Sequence, residues 1–170
     1  KSPTLQNYVG AWQIVDFSLL FPNSILYTLG ATVGIIFLSL LAGFAFAKLK
    51  SKATKPIYNS FIMGILLTTQ TLMIHLFLEV NLLGIYNTRF AVLLVYIGAG
   101  LPIGIYLSTE YIRAIPSAVV ESARIDGAGF FRIFLSIIVP MSVPVATTLA
   151  ILNITNTWNE FALINILVSK

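Results

Sequence analysis

The chain has 170 residues, of which 58% are hydrophobic and only 9% are charged, and its formal net charge is +4. Soluble domains of this size usually carry about a quarter charged residues, so the composition indicates a protein that lies in a lipid bilayer. The sequence contains no cysteine, which excludes disulfides, thiolate metal sites and cysteine nucleophiles. The small basic excess does not indicate nucleic-acid binding, because no basic patch interleaved with aromatic residues accompanies it.

The clearest membrane span is predicted at 25–47, which has no charged residue and about the length that crosses a bilayer as a helix. A cluster of lysines follows it: Lys48, Lys50, Lys52 and Lys55. Basic residues collect on the cytoplasmic side of membrane spans, so this end is predicted to be cytoplasmic. Residues 1–24 are then an extracytoplasmic segment.

Three further spans are predicted at 57–78, 90–108 and 133–152, crossing the bilayer in alternating directions. The segment 109–132 holds six charged residues, a density that hydrocarbon does not accept, and is therefore predicted to be a cytoplasmic loop. The predicted fold class is all-α, a polytopic transmembrane helical bundle that occupies residues 25–170.

Glycine and proline inside the spans predict kinks and close packing of helices. The third span is expected to be interrupted at Gly98, Gly100, Pro102 and Gly104, and the fourth at Pro140 and Pro144. Gly30 and Gly34 in the first span have the GxxxG spacing of closely packed membrane helices. Packing within one bundle is favoured over a dimer face at this pair.

The cytoplasmic loop contains a predicted short helix, which starts at Pro116 and Ser117 and stops at Gly127. The helix is amphipathic, because three residues share one face: Ala118, Ser122 and Ile125. A glycine turn after it leads into another apolar helix. Two helices joined in this way are suited to present a rigid projection to a partner protein.

Residues in and after this loop resemble the EAA loop of binding-protein-dependent ABC importers. The matching residues, at matching spacing, are Glu121, Ser122, Ala123, Gly127, Ile137 and Pro140. The string 123–128, which adds Arg124, Asp126 and Ala128, is similar to the carbohydrate-uptake branch, in maltose-type permeases with a short periplasmic region. Trp158-Asn159-Glu160-Phe161 and the segments 81–88 and 101–104 follow the same pattern, so the resemblance covers nearly the whole chain.

The resemblance implies a type I importer permease with a cytoplasmic coupling helix, in the bacterial inner membrane. Its implied partners are a second homologous permease subunit, an ABC ATPase dimer and an extracytoplasmic solute-binding protein. The partner ATPase would bind ATP and Mg; this chain has no phosphate-binding P-loop and is expected to need no cofactor and no metal, and to be non-catalytic. Family members have further spans, so this chain is expected to lack the first and the last.

Two departures from the family pattern bear on structure. Ser122 replaces the usual second alanine, which is a change between small residues. Thr69 stands where relatives often have proline, so the second span is expected to be straighter here. Within the loop, Glu121 and Arg124 are hypothesised to make polar contacts with the ATPase, while Ala123 and Gly127 would permit its close approach.

Polar residues within or beside the spans are candidates for a substrate path, because they are costly in a membrane. The candidates are Thr69, Gln70, Thr71, Asn156, Trp158, Asn159 and Glu160. Neutral hydroxyls and amides suit a sugar, although hydrogen bonding between helices also explains Thr and Gln. Trp158 fits an interfacial aromatic belt as well as a binding-protein contact. His75 is expected to be a packing or surface residue.

Other functions are also considered. A sugar phosphate or another small polar solute is an alternative substrate. An ion-coupled secondary transporter would need carboxylates inside the spans, and no Asp or Glu lies inside any of the four predicted ones. A membrane-embedded enzyme would need a catalytic constellation, for which one histidine and no cysteine leave little material.

Overall fold

A computed structural model of the protein describes Trp12 and residues 16–49 and 51–168. The regular elements of this described part are all helices, which confirms the all-α prediction. In chain order they are α1 Phe17–Lys48, α2 Thr54–Gly64, α3 Thr69–Leu82, α4 Arg89–Ala114, α5 Ser117–Ile125, α6 Phe130–Met141, α7 Val143–Trp158 and α8 Ala162–Leu167. Two of them, α1 and α4, are by themselves long and apolar enough to cross a membrane.

Helices α1 and α4 pack along each other and form the centre of the bundle. A methyl group on Gly30 would lie 2.9 Å from Leu93 Cδ2, and one on Gly34 would lie 2.6 Å from Ile97 Cδ1. The GxxxG pair therefore serves packing against α4 within the chain, as the sequence predicts. Helix α1 also begins at Phe17 rather than at residue 25, so part of the predicted extracytoplasmic segment is helical.

The predicted interruption of the third span is wrong, because α4 runs through Pro102 from Arg89 to Ala114. The ring of a proline crowds the carbonyl four residues earlier, which here belongs to Gly98. A Cβ on Gly98 would have no atom of a neighbouring helix within 4 Å, so no other helix packs closely against α4 on that side. The predicted close packing is confirmed at Gly100 and Gly104, where a Cβ would overlap Ile35 and Ser39 of α1.

The second span is broken, so the prediction of one straight helix over 57–78 is wrong. Helices α2 and α3 are bent by 106° at the four residues between them. Thr68 is extended there, and its hydroxyl pairs with that of Thr71 at 2.7 Å. Threonine side chains compete with the helical backbone for hydrogen bonds, which favours a helix start at this position. The expected straightening by Thr69 in place of proline does not occur.

The fourth span bends at Ser142, where α6 and α7 meet at 72°. The kink predicted from Pro140 and Pro144 is thereby confirmed. The middle of α6, Phe134–Ile138, is a π-helical segment, a form that commonly accompanies such bends. Helix α4 extends to Ala114, so the loop that was predicted at 109–132 begins only after that residue.

The buried side chains form two clusters along α1. One cluster joins α1 to α3, α4 and α8 through residues that include Ile35, Val80, Val92, Leu163 and Leu167. The other lies toward Lys48 and joins α1 to α4, α5 and α6 through residues that include Phe44, Ile112, Val120, Ala123 and Phe134. The two clusters support two different regions of interest, a polar cavity and the charged loop.

Candidate functional site

A cavity of about 550 Å³ opens where the second span is broken. Four helices surround it: the start of α3, the middle of α4, the end of α7 and the start of α8. Its lining residues are Thr69, Gln70, Met73, Tyr96, Ala99, Gly100, Ile103, Asn153, Asn156, Thr157, Asn159, Glu160, Phe161, Ala162 and Leu163. Cavities of this volume accept small molecules, and this one combines amides with aromatic rings.

The cavity brings together residues that the sequence analysis proposed in two distant segments. Thr69 and Gln70 lie on one wall, at the first turn of α3. Asn156, Asn159 and Glu160 lie on another, at the end of α7. The juxtaposition depends on the 106° bend, which starts α3 beside α4 and α7.

Two of the proposed path residues lie outside the cavity. Thr71 shares a hydrogen bond with Thr68 at the start of α3, and its amide donates to the Thr68 carbonyl at 3.0 Å. Trp158 packs edge-on against Phe21 of α1, with 6.0 Å between the ring centroids. Phe21 in turn stacks on Phe17. This aromatic row at one end of α1 fits the interfacial-belt interpretation of Trp158.

Asn153 and Tyr96 are among the cavity residues that were not predicted from the sequence. Asn153 is only 6% exposed, and its Nδ2 donates to the Leu149 carbonyl at 2.8 Å. Gly100 of α4 leaves room for this amide, because a Cβ there would lie 3.0 Å from Asn153 Oδ1. The three-residue spacing of Asn153, Asn156 and Asn159 along α7 is the signal that would have identified Asn153.

The amide side chains in the cavity differ in whether they make hydrogen bonds with the protein itself. Asn153 and Asn159 each donate to a carbonyl four residues earlier on α7. Gln70 and Asn156 make no side-chain hydrogen bond with any residue in the described part of the chain. A primary amide offers two donor hydrogens and an acceptor oxygen. Gln70 and Asn156 therefore present unused hydrogen-bonding capacity from two walls of the cavity.

Glu160 is held by three hydrogen bonds from the protein. Its carboxylate accepts from the backbone amides of Leu163 at 2.7 Å and Ile164 at 3.2 Å, which caps the start of α8. It also accepts from the hydroxyl of Tyr96 on α4, at 3.0 Å. These contacts commit the carboxylate to structure, so its sequence-based assignment as a substrate ligand is not what the geometry favours.

The charged loop forms the second candidate region, and its predicted helix is confirmed as α5, Ser117–Ile125. Gly127 has a φ of +80°, which is the left-handed conformation that glycine adopts without strain. The Ala128 amide donates to the Ala123 carbonyl at 2.9 Å and closes the turn. Beyond it, Ile137 is half-buried and Pro140 exposed, and both lie on α6, so the resemblance motif spans loop and membrane helix.

The two faces of α5 have different surroundings. Val120 and Ala123 are buried in the cluster around Phe44, whereas the predicted face of Ala118, Ser122 and Ile125 is exposed, with Ile125 at 86%. The side chains of Glu121, Arg124 and Asp126 are exposed as well. Ala123, which is expected from the sequence to permit close approach of a partner, packs in this structure against its own chain.

One polar contact joins the loop to α1, and two more lie at the end of α4 that precedes the loop. Lys48 at the end of α1 donates to the carbonyl of Ile115, immediately before α5. The hydroxyl of Tyr58 on α2 donates to Glu110 Oε1 at 2.8 Å, and Arg113 pairs with the same oxygen at 2.6 Å. The charge of Lys48 helps to predict which end of α1 is cytoplasmic, and its side chain also makes a structural contact.

The family described as "Binding-protein-dependent transport system inner membrane component" matches residues 35–170, which include the broken span, the cavity and α5. The chain belongs to this family. It is accordingly a membrane component of the transport-system kind that the family description names. The match agrees with the family resemblance carried by the residues of the loop.

Curated relatives of this family resemble the chain along its whole length. A putative ABC transporter permease protein, ORF2, from Caldicellulosiruptor sp. is 32% identical over 170 residues, which are 100% of this chain and 62% of the relative. The probable starch degradation products transport system permease protein AmyC from Thermoanaerobacterium thermosulfurigenes is also 32% identical, with the same coverage. The chain thus spans less than two thirds of the length of these relatives.

A solved structure of an ABC transporter shows the same fold. It is described as the crystal structure of a bacterial ABC transporter involved in the import of the acidic polysaccharide alginate. The TM-score is 0.79 at 23% sequence identity, and the match covers 88% of this chain and 52% of that chain. At this identity the likeness supports the fold and not the substrate.

Proposed function

We propose that this chain is the membrane core of a permease subunit that passes a sugar or oligosaccharide through the bacterial inner membrane, driven by a partner ATPase. The solute would arrive on an extracytoplasmic binding protein, and a second homologous permease would complete the pathway. The subunit would cross the membrane several times, through α1, α4 and the two bent helix pairs. It would be non-catalytic, with ATP and Mg bound by the ATPase dimer.

The observation that carries the substrate proposal is the composition of the cavity. Its walls offer neutral amides and hydroxyls together with the rings of Tyr96 and Phe161. A sugar presents hydroxyl groups that need donors and acceptors, and apolar faces that pack on aromatic rings. No Lys or Arg lines the cavity among the described residues, and Glu160 is already bonded within the protein. This lining favours a neutral saccharide over a sugar phosphate.

The coupling proposal rests on α5. Its exposed face carries Glu121, Arg124 and Asp126, while its buried face is fixed to α1, α4 and α6. An ATPase that bound these exposed charged side chains would therefore move these helices together with the loop. Ala123 and Gly127 would serve this function from within the chain, the first by packing and the second by shaping the turn.

The substrate proposal is tested with Gln70→Ala and Asn156→Ala in the assembled transporter. Each change removes an unused amide from the cavity, so the half-saturating concentration of the sugar-loaded binding protein should rise by about three- to tenfold. Asn165→Ala is the matched control, because Asn165 is an exposed amide on α8 outside the cavity. Unchanged uptake kinetics in both cavity variants would remove the cavity from the substrate path.

Energy coupling is tested in the same vesicles. Uptake should require ATP inside the compartment of the ATPase and should stop when the nucleotide is omitted. Uptake that continues without ATP and follows an ion gradient would favour a secondary transporter instead.

A further inference from the structure

Helix α8 forms one wall of the cavity through its first residues. Phe161, Ala162 and Leu163 all line the cavity, and the helix ends four residues later at Leu167. A helix of six residues is not stable alone, because its few hydrogen bonds do not offset the cost of forming the first turn. Its position therefore depends on contacts with the rest of the chain.

The two ends of α8 are held in different ways. At the far end, Leu167 is fully buried, and its carbonyl accepts from the Asn87 amide at 3.3 Å. At the cavity end, Leu163 is 1% exposed, and the polar contacts that the structure shows are those of Glu160 with the first amides of α8 and with Tyr96. The Tyr96 hydroxyl ties this capped end to α4.

We propose that Tyr96 and Glu160 form a latch that fixes the first turn of α8 as a wall of the cavity and thereby sets the size of the solute that fits. The proposal deepens the proposed function and rests on it, since the wall matters for selectivity only if solute enters the cavity. Tyr96 and Glu160 are positioning residues in this account. Without the latch the first turn of α8 lifts, while Leu167 keeps the far end in place.

Two substitutions open the latch in different ways. Tyr96→Phe removes the hydroxyl that reaches Glu160 and keeps the ring that packs in the core cluster. Glu160→Gln replaces one carboxylate oxygen by a donor, so it cannot accept from both α8 amides as before. Tyr106→Phe is the matched control, because Tyr106 lies on the same helix with an exposed ring and outside the cavity.

The opening is measured by cysteine labelling in the assembled transporter, since this chain has no cysteine of its own. Leu163→Cys reports on the cavity end of α8, and Leu167→Cys reports on the far end. With the latch intact, both buried positions should react slowly with a membrane-impermeant maleimide. Adding Tyr96→Phe or Glu160→Gln should raise the rate at position 163 about tenfold and leave position 167 unchanged, because a hydrogen bond to a charged group is lost.

The outcomes separate the latch from the proposed function. Unchanged labelling at both positions would overturn the latch, and an equal rise at both would overturn it too, because the whole helix would then have undocked. Neither result depends on sugar, so transport could fail or succeed independently. Uptake gives the second readout: Tyr96→Phe should raise the ratio of long to short oligosaccharide uptake, whereas Tyr106→Phe should leave that ratio as in the unmodified chain.

Discussion

Gly127 ends α5 with a φ of +80°, and no atom lies within 4 Å of the position where a Cβ would be built. Gly127→Ala therefore meets no steric obstacle from neighbouring side chains, and its cost is the backbone strain alone. For an L-residue in the left-handed region this cost is about 1–2 kcal/mol. If the turn relaxes to avoid the strain, α5 changes its angle to α6, and the exposed charges move with it.

The matched control lies two residues further on. Gly129 is also surrounded by open space, but its φ of −73° suits any residue, so Gly129→Ala should be tolerated. Comparison of the two variants separates the backbone conformation at residue 127 from the mere addition of a methyl group. Gly127→Asn should be intermediate, because asparagine enters the left-handed region more readily than alanine does.

The assay is the number of ATP molecules hydrolysed per solute imported by the reconstituted transporter. A strain of about 1–2 kcal/mol lowers the equilibrium constant for the native turn against its relaxed alternatives by roughly 5- to 30-fold. Gly127→Ala should therefore raise the ATP used per solute, by up to about that factor, while Gly129→Ala stays close to the unmodified protein. Equal ratios in these two variants would refute the assignment of the turn as part of the coupling element.

Two further predictions concern stability and local order. Gly43→Ala should lower the free energy of unfolding by about 1–3 kcal/mol, because the added methyl would lie 3.0 Å from backbone atoms of Ser108 and Thr109. Gly98→Ala is the control, since space is open there, and equal melting temperatures of the two variants in detergent would contradict the prediction. Lys48→Met removes the contact with the Ile115 carbonyl and should speed hydrogen exchange in the first turn of α5 by about tenfold; Lys52→Met is the control, and identical exchange in both would show that the contact does not order the loop.

The sequence predicts well that α1 and α4 are apolar helices of membrane-spanning length, because hydrophobic length is a local property that the bilayer thickness constrains directly. The turn at Gly127 is equally local, since a single glycine supplies the conformation that the turn requires. The break between α2 and α3 was not predicted. Ile65, Leu66 and Leu67 are apolar and continue the hydropathy pattern across it, although the backbone leaves the helix there.

The candidate site was predicted only in part for a related reason. The sequence identified Gln70 and Asn156 as polar residues within or beside the spans, but it did not show which of these residues lie close together. The role of Glu160 depends on Tyr96, a residue 64 positions away, and no local pattern contains that pairing. Lys48 is a second example. Its charge predicts the orientation of α1 in the membrane, but its contact with Ile115 depends on the packing of distant helices.

Helix α4 is continuous and connects the cavity with the charged loop. Its 26 residues extend about 39 Å at 1.5 Å per residue, and Pro102 does not divide it. Tyr96 and Gly100 line the cavity toward the middle of the helix, while Glu110 and Arg113 contact Tyr58 near its end. A displacement of the loop that follows Ala114 would therefore reach the cavity wall along one continuous helix. The break in the second span opens the cavity, and α4 connects this cavity to the loop.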